Sequence, residues 1–357
     1  MGEHAFKACA QNGTHYLDVT GEVPFVARMI RKYQSAAQAS GAVMLPQIGI
    51  ESAPTDLLTW SLAKRLRSDS SSSPGGAKTA DVTVSIHKLK SAPSGGTLTT
   101  VLTVLENFTL TELRDSHKPY ALSPVPRSSA PATKKAEATC GGTLSSILTR
   151  VTGLVTFPVL GLLTSSVAAR TDAAIVERTW GLLEQARQQQ QQTKDGDKDE
   201  DKEDKTYGPN FSFREFMKPR NWLTGIGIHL GIMLMGLVLV TPLLRNLVRK
   251  VVYQAGEGAD YEQAKKDEIE YRGIARPDVA TESGRKHVAY GRAWFNGAIY
   301  YLTGVLLAEA AATLLEEGLD KPFGNAGGIY TPACLGQPFI DRLDRAGFHF
   351  ETQMIDV

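Results

Sequence analysis

A strand, a helix and a second strand follow one another in the first 50 residues, and this order constrains the fold more than any other feature. The first strand, residues 15–20, alternates its faces after a short helix that ends at Asn12-Gly13. An amphipathic helix over residues 24–39 then leads to the apolar run "AVMLPQIGI" (42–50). Because two strands joined by a helix lie parallel in one sheet, the sequence predicts an α/β fold with a doubly wound parallel sheet.

Length and composition set broad limits on what this sheet belongs to. The chain has 357 residues, which suits two domains, and its net charge of +1 gives no reason to expect a nucleic-acid partner. The three cysteines lie far apart in the sequence, without metal-ligand spacing or a disulfide framework. These features predict an intracellular protein without a metal site.

The remaining elements are expected to form a second, α+β region. A helix over residues 51–67 and an alternating strand over residues 81–89 continue the chain, and "NFSFREF" (210–216) is a short strand. We expect "VTGLVTFPVLGLLTSSVAA" (151–169) to be a globular or interfacial helix, and the chain to turn helical from Tyr290. The glutamine run and the charged tract after it should be disordered. The predicted domains are residues 1–66, residues 80–187, a disordered insertion at 188–206, and residues 207–357.

A second constraint is the run of residues 221–244, which contains no Asp, Glu, Lys or Arg. A helix of this length crosses a bilayer core, and Trp222 stands at one end, where an interfacial aromatic residue belongs. Basic residues lie on both sides of the run. We therefore expect a membrane-type helix that spans or is embedded in a membrane, against the alternatives of a buried helix pair or a hairpin lying on a membrane.

Six segments, in order along nearly the whole chain, resemble one protein family. They are "GTHYLDVTGE" (13–22), "GIESAPTDL" (49–57), "SGGTLTT" (94–100), "PYALSP" (119–124), "TDAAIVERTW" (171–180) and "GGIYTPACLGQPFIDRLDRAGFHFE" (327–351). Together they resemble the saccharopine dehydrogenase-like oxidoreductases, which include the trans-acting enoyl reductases of lipid assembly. Each segment is short, but their common order makes the resemblance specific.

The resemblance implies an oxidoreductase that uses NAD or NADP and acts on a lipid-linked substrate in glycolipid metabolism. It also implies attachment to a membrane or lipid-droplet surface, an endoplasmic-reticulum or mitochondrial location as alternatives, and a possible homodimer. Family members open with a strand, a Gly-rich turn and a helix that hold the dinucleotide, and nothing of this kind precedes residue 12. The first 66 residues are thus expected to be the remnant of an incomplete Rossmann-like domain. The alternatives are an inactive relative that binds lipid or serves as a structural protein at the membrane, and a misassigned start codon.

Candidate site residues follow from the ends of the predicted strands, where ligands bind in such sheets. Glu22 and Asp56 are the catalytic candidates. The cofactor-binding candidates are Thr20, Gly21, Glu22 and Ser52, and the substrate-binding candidates are Ser94, Gly95, Gly96 and Thr97. Each group also has a plainer interpretation. Asp18 and Glu22 could fix a loop through local hydrogen bonds, and Ser52 and Asp56 could belong to an ordinary capped helix start. Residues 94–97 could form a plain turn before a helix.

Overall fold

Two β-sheets organise the part of the chain that the structure describes. The structure is a computed structural model that describes residues 2–69, 76–91, 104–127, 143–192, 204–249, 261–278, 287–324 and 326–357. The substrate-binding candidates Ser94, Gly95, Gly96 and Thr97 lie outside the described residues, as does most of the predicted insertion. Helices pack on both sheets, so the α/β class is confirmed.

The smaller sheet contains three parallel strands in the order β1-β2-β9. Strands β1 (Tyr16–Leu17) and β2 (Val43–Leu45) are connected by helix α2 (Val23–Ser40), as the sequence predicts. Strand β9 (Gly328–Ile329) comes from the far end of the chain. The first sheet is therefore completed by residues that the predicted boundaries place in the last domain.

Glycines end the first two helices where the sequence predicts it. Helix α1 (Glu3–Asn12) stops at Gly13 and α2 stops at Gly41, both in the left-handed conformation that glycine adopts most easily. The strands are shorter than expected, because the chain leaves the sheet after Leu17 and again after Leu45. The residues after those two points form the turns described below.

The larger sheet has seven strands in the order β10-β8-β7-β3-β6-β5-β4. Only β3 and β6 pair in parallel, and the other neighbours are antiparallel. The strands are β3 (Thr79–Lys90), β4 (Val155–Phe157), β5 (Gly161–Ser165), β6 (Ser212–Met217), β7 (Glu268–Pro277), β8 (His287–Asn296) and β10 (His349–Asp356).

Helix α3 (Ala53–Arg67) joins the two sheets, because it follows β2 and packs on β7, β8 and β10. Two glycines, Gly273 of β7 and Gly291 of β8, face each other across the ladder beneath it. A Cβ at Gly273 would lie 2.7 Å from Cδ1 of Leu62, and one at Gly291 would lie 2.9 Å from Cδ2 of the same residue. The helix approaches the sheet this closely only because both positions lack a side chain.

The remaining helices connect these strands along the sequence. They are α4 (Leu110–Ser116), α5 (Thr143–Thr152), α6 (Ala169–Gln192), α7 (Trp222–Val240), α8 (Pro242–Arg249), α9 (Tyr261–Ala264), α10 (Ile299–Glu316) and α11 (Gly336–Arg345), with a 3₁₀ turn at Pro332–Leu335. By length and composition alone, α7 and α10 are long and apolar enough to cross a membrane.

Three sequence-based expectations are wrong. Residues 155–165, expected to be helical, form the hairpin β4–β5. Gly161 adopts a positive φ at the turn of this hairpin, and β-branched and apolar residues, which favour strands, flank the turn. Tyr290 lies inside strand β8 rather than at a helix start, and α10 begins only at Ile299. Helix α6 continues to Gln192, so residues 188–192 of the predicted disordered insertion are helical.

Candidate functional site

The turns that follow the carboxyl ends of β1 and β2 lie side by side and are joined by Asp18; the surface between these turns is called the crevice below. Its carboxylate accepts hydrogen bonds from the Tyr16 hydroxyl (2.8 Å), the Thr20 amide (3.0 Å) and the Gln47 amide (3.2 Å). The Asp18 carbonyl also accepts from the Ile48 amide at 2.9 Å. One side chain therefore ties the turn after β1 to the turn after β2.

Gly21 and Glu51 bring the two turns into contact at the mouth of the crevice. A Cβ at Gly21 would lie 2.8 Å from Oε1 of Glu51, so only glycine fits at this approach. Glu22 accepts a hydrogen bond from the Thr20 hydroxyl at 3.2 Å and stands at the start of α2. The cofactor candidates Thr20, Gly21 and Glu22 are thus brought together beside Glu51, which the sequence-based selection of site residues missed.

Glu51 has the electrostatics of a proton donor. Desolvation by the surrounding protein raises the pKa of its carboxyl, and the negative charge of Glu22 raises the pKa further. The residue is nevertheless exposed at the surface of the crevice. A carboxyl group that is both reachable and protonated closer to neutral pH is suited to general acid catalysis.

Gln47 combines two features that mark functional positions. Its φ of 66° is in the left-handed region, which is uncommon for a residue with a side chain. It is also buried, and its side-chain Nε2 has no hydrogen-bond partner among the described residues. No motif in the sequence pointed to Gln47; the only signal was its position directly after Pro46, where the second strand ends.

Ser52 lies next to this turn, and its hydroxyl is buried without a partner in the described part of the chain. Its backbone amide donates to the Gly49 carbonyl at 3.1 Å, and its carbonyl accepts from the Asp56 amide. The hydroxyl does not cap α3. Gln47 and Ser52 thus supply two buried polar side chains whose Nε2 and Oγ atoms have no hydrogen-bond partner among the described residues.

Asp56, the second catalytic candidate, lies away from the crevice surface. It is fully buried and accepts hydrogen bonds from the Thr179 hydroxyl (2.6 Å) and the Ala333 amide (2.9 Å). Thr179 also contacts the Thr331 hydroxyl at 2.6 Å. Burial raises the pKa of Asp56 to about 7, although these hydrogen bonds act in the opposite direction. The placement favours a structural role, joining α3 and α6 to the residues after β9.

Arg178 forms a second buried junction. Its guanidinium donates to the carbonyls of Leu122 (2.6 Å) and Ile329 (2.5 Å), and burial lowers its pKa to about 10. Gln34 completes the junction by accepting from the Ile329 amide at 3.2 Å. Four of the six recognised segments therefore pack together, through the residues around Asp56, Leu122, Arg178 and Ile329. These segments thus share a structural function.

A buried pair of carboxyl groups lies behind the turn that carries Glu51. Glu215 accepts hydrogen bonds from Ser166 (2.5 Å) and Thr55 (3.4 Å). Burial and the neighbouring Glu215 raise the pKa of Asp172 well above its usual range, so the pair holds a proton at neutral pH. The Tyr271 hydroxyl donates to the Ile50 carbonyl at 3.0 Å, which fixes the same turn. Neither carboxyl group was predicted from the sequence.

Comparison with known proteins gives relatives in one family. A protein of Mycobacterium tuberculosis, provisionally named a trans-acting enoyl reductase, is 27% identical to this chain over 357 aligned positions, which cover 97% of the chain and 75% of that relative. A trans-acting enoyl reductase of Mycobacterium leprae is 39% identical over 62 residues, 17% of this chain and 15% of the relative. A saccharopine dehydrogenase-like oxidoreductase of Bos taurus is 39% identical over 56 residues, 16% of this chain and 13% of the relative. These homologues support the saccharopine dehydrogenase-like family that the sequence resembles. No family model matches the sequence.

The names of these relatives agree with the resemblance found in the sequence. The long alignment to the mycobacterial relative includes both sheets, whereas the two short ones, each about a sixth of the chain, do not extend over the fold. The names of the relatives suggest an oxidoreductase.

Proposed function

We propose that the protein is an NAD(P)-dependent oxidoreductase that reduces a carbon–carbon double bond of a lipid-linked substrate at a membrane surface. The observation that carries this proposal is the crevice at the carboxyl ends of two parallel strands, with Glu51 at its mouth. Ligands of open α/β sheets bind at such strand ends. The names of the relatives, enoyl reductase and saccharopine dehydrogenase-like oxidoreductase, support the reaction class.

Strands β1 and β2, joined by helix α2, have the connection of one strand–helix–strand unit of a Rossmann-like sheet. Gln47 and Ser52 offer an amide donor and a hydroxyl, which suit the carboxamide of a nicotinamide ring. These groups fit the reacting end of a dinucleotide, and Thr20 and Gly21 border the same space. A Gly-rich turn for the pyrophosphate is not among the described residues.

Reduction of a double bond needs a hydride at one carbon and a proton at the other. The nicotinamide, when bound, supplies the hydride. Glu51 would hold the proton, because its raised pKa keeps the acid form available at higher pH than an ordinary glutamate. Glu22 would keep that pKa high through its charge, and the Asp18 hydrogen bonds would hold the two turns in place.

Titration of the purified chain with NADH and with NADPH, followed by nicotinamide fluorescence, tests the cofactor assignment. We expect saturable binding in the micromolar range, weakened by Gln47→Leu, which removes the amide donor. Gln337→Leu, at an amide that lies on α11 and accepts from Lys64, is the matched control and should leave binding unchanged.

Absence of saturation with either nucleotide, in protein whose thermal unfolding is cooperative, would contradict the proposal. It would favour the alternative of an inactive relative that binds lipid at the membrane.

A further inference from the structure

Helix α7 exposes apolar side chains on every side. Only 6% of its apolar window is buried, compared with 28% for α10. Met233, Leu234 and Leu237 are each more than half exposed, and Leu243 and Leu247 continue this surface along α8. Because exposed apolar side chains are unfavourable in water, a surface of this size requires an apolar partner.

The first two turns of α7 are fixed to the larger sheet. The Gly225 carbonyl accepts from the Thr164 hydroxyl at 2.8 Å, and His229 contacts the Ser165 hydroxyl at 2.8 Å. Gly225 lies so close to the sheet that a Cβ there would approach Leu154 to 2.5 Å. The part of α7 that projects from the body is therefore residues 230–240, with a length of about 16 Å.

The topology of the larger sheet decides how this helix meets a membrane. Strand β6 precedes α7, strand β7 follows α8, and both strands pair with β3. The chain therefore leaves and re-enters the body at the same sheet. Between Arg245 and Asp267 the longest stretch without a charged residue is residues 251–256, which is far too short to cross back. If α7 alone crossed the bilayer, the return segment, residues 245–267, could not cross back to reach the sheet.

We propose that α7 and α8 enter one leaflet of a phospholipid bilayer and leave through the same surface, without spanning it. This inference rests on the membrane attachment proposed above and specifies its form. The projecting length of about 16 Å matches half of a hydrocarbon core of about 30 Å. A leaflet of acyl chains supplies the apolar cover, and α8 supplies the way back.

Basic residues at the fixed end of α7 fit anionic headgroups. Arg150, Lys218 and Arg220 surround the fixed end of α7, where Trp222 is exposed at the level of an interface. At the other end, the Arg245 guanidinium donates to the Leu239 carbonyl at 3.3 Å. That hydrogen bond satisfies a helix-end carbonyl which lipid cannot satisfy.

Helix α5 extends the same surface along the body. Its residues Ile147, Leu148 and Val151 are exposed, and the Arg150 carbonyl contacts His229 of α7 at 3.2 Å. An exposed apolar stripe with basic residues beside it is typical of a helix lying in a membrane interface. The position of α5 against the fixed end of α7 marks the depth at which the body meets the headgroups.

Flotation of the full chain with phosphatidylcholine–phosphatidylserine vesicles tests the lipid partner. We expect the wild type to float and Leu234→Asp to reduce the floated fraction at least fivefold. Leu315→Asp, at an exposed leucine of α10, is the matched control and should float as the wild type does. A wild type that stays at the bottom of the gradient would overturn the lipid proposal and leave a protein partner as the cover.

The side on which the return segment lies tests insertion into one leaflet. Gln254→Cys, in a Cys9→Ser, Cys140→Ser background, is treated with an impermeant maleimide after the chain has bound to sealed vesicles. We expect labelling without detergent as complete as labelling with detergent. Protection that detergent removes would show that α7 spans the bilayer, and would overturn this inference while leaving membrane attachment intact.

Discussion

At the scale of single residues, similar carboxyl groups have different functions because their surroundings differ. Glu51 stands at an open crevice beside another negative charge, whereas Asp56 is enclosed by hydroxyl and amide donors. Both have a raised pKa, yet only one can meet a substrate. Accessibility, which the sequence does not contain, separates the catalytic candidate from the structural acid.

Replacing Glu51 tests the proton-donor assignment. Glu51→Gln should lower the rate of NADPH-dependent reduction of an enoyl substrate by about 10²–10⁴-fold, because the amide cannot supply the proton. Affinity for NADPH, measured by fluorescence, should change little. The wild-type rate should fall as the pH rises through the raised pKa of Glu51, and the variant should lack this descending limb. An unchanged pH profile in Glu51→Gln would exclude Glu51 as the donor.

Asp56 is expected to make stability depend on pH. Its folded pKa of about 7 lies above the unfolded value, so the folded state binds the proton more tightly. The stabilisation that Asp56 contributes is complete at low pH, decreases as the pH rises between about 4 and 7, and is lost above pH 7. Over this range the free energy of unfolding falls by no more than about 1.4 kcal/mol per pH unit.

Thermal unfolding of Asp56→Asn, compared with the wild type at pH 5, 6, 7 and 8, measures this contribution. The melting temperature of the wild type relative to the variant should decline across the series. Asp341→Asn, at an exposed residue of α11, is the control and should follow the wild type. A constant difference from pH 5 to pH 8 would contradict the raised pKa.

At the scale of elements, helices were easier to predict from the sequence than strands. Gly13 and Gly41 are local stop signals, and α1 and α2 end where these glycines stand. Strands β7 and β8 were missed, because their apolar residues are spread around charged ones such as Glu270 and Arg292, which pair with each other at 2.8 Å. Each charge is neutralised by a partner on the neighbouring strand, and such a partner is not close in the sequence.

The crossing of α3 over β7 depends on the glycine at 273. Gly273→Ala should destabilise the protein by about 1–3 kcal/mol, because the new methyl group meets Leu62 at 2.7 Å. Urea unfolding measures the loss. Combination with Leu62→Ala should give less than the sum of the two separate effects, since the smaller side chain leaves room.

Gly304→Ala provides the opposite control. This glycine is exposed on α10 with open space around it, so alanine should stabilise the helix by up to about 1 kcal/mol. If Gly273→Ala also stabilised the protein, the close approach of α3 would be refuted.

At the scale of the whole molecule, the segments that carry the family resemblance hold the two sheets together. Arg178 contacts carbonyls near residue 122 and on β9, and Asp56 reaches the residues after β9. The sequence pattern was sufficient to suggest the family, while the junction itself requires contacts between residues up to 295 positions apart. For this reason Asp56 was a reasonable catalytic candidate until its partners were known.

Loss of the Arg178 junction should weaken the entire fold. Arg178→Met leaves two buried carbonyls without donors, and we expect a loss of about 2–4 kcal/mol in urea unfolding. Arg187→Met, on the same helix but partly exposed and paired with Glu184, should cost less than about 1 kcal/mol. Equal losses in the two variants would show that Arg178 is not a junction.

The position of β9 also affects the order in which the protein can be made. Strand β2 pairs with β9 through Met44 and Ile329, so the small sheet gains its third strand only when most of the chain has been synthesised. At about 5–20 residues per second, this delay is roughly 15–60 s on the ribosome. During that time one edge of β2, with its buried side chains Val43 and Leu45, has no strand to pair with. Newly made chains should therefore be a substrate for chaperones that bind extended apolar segments.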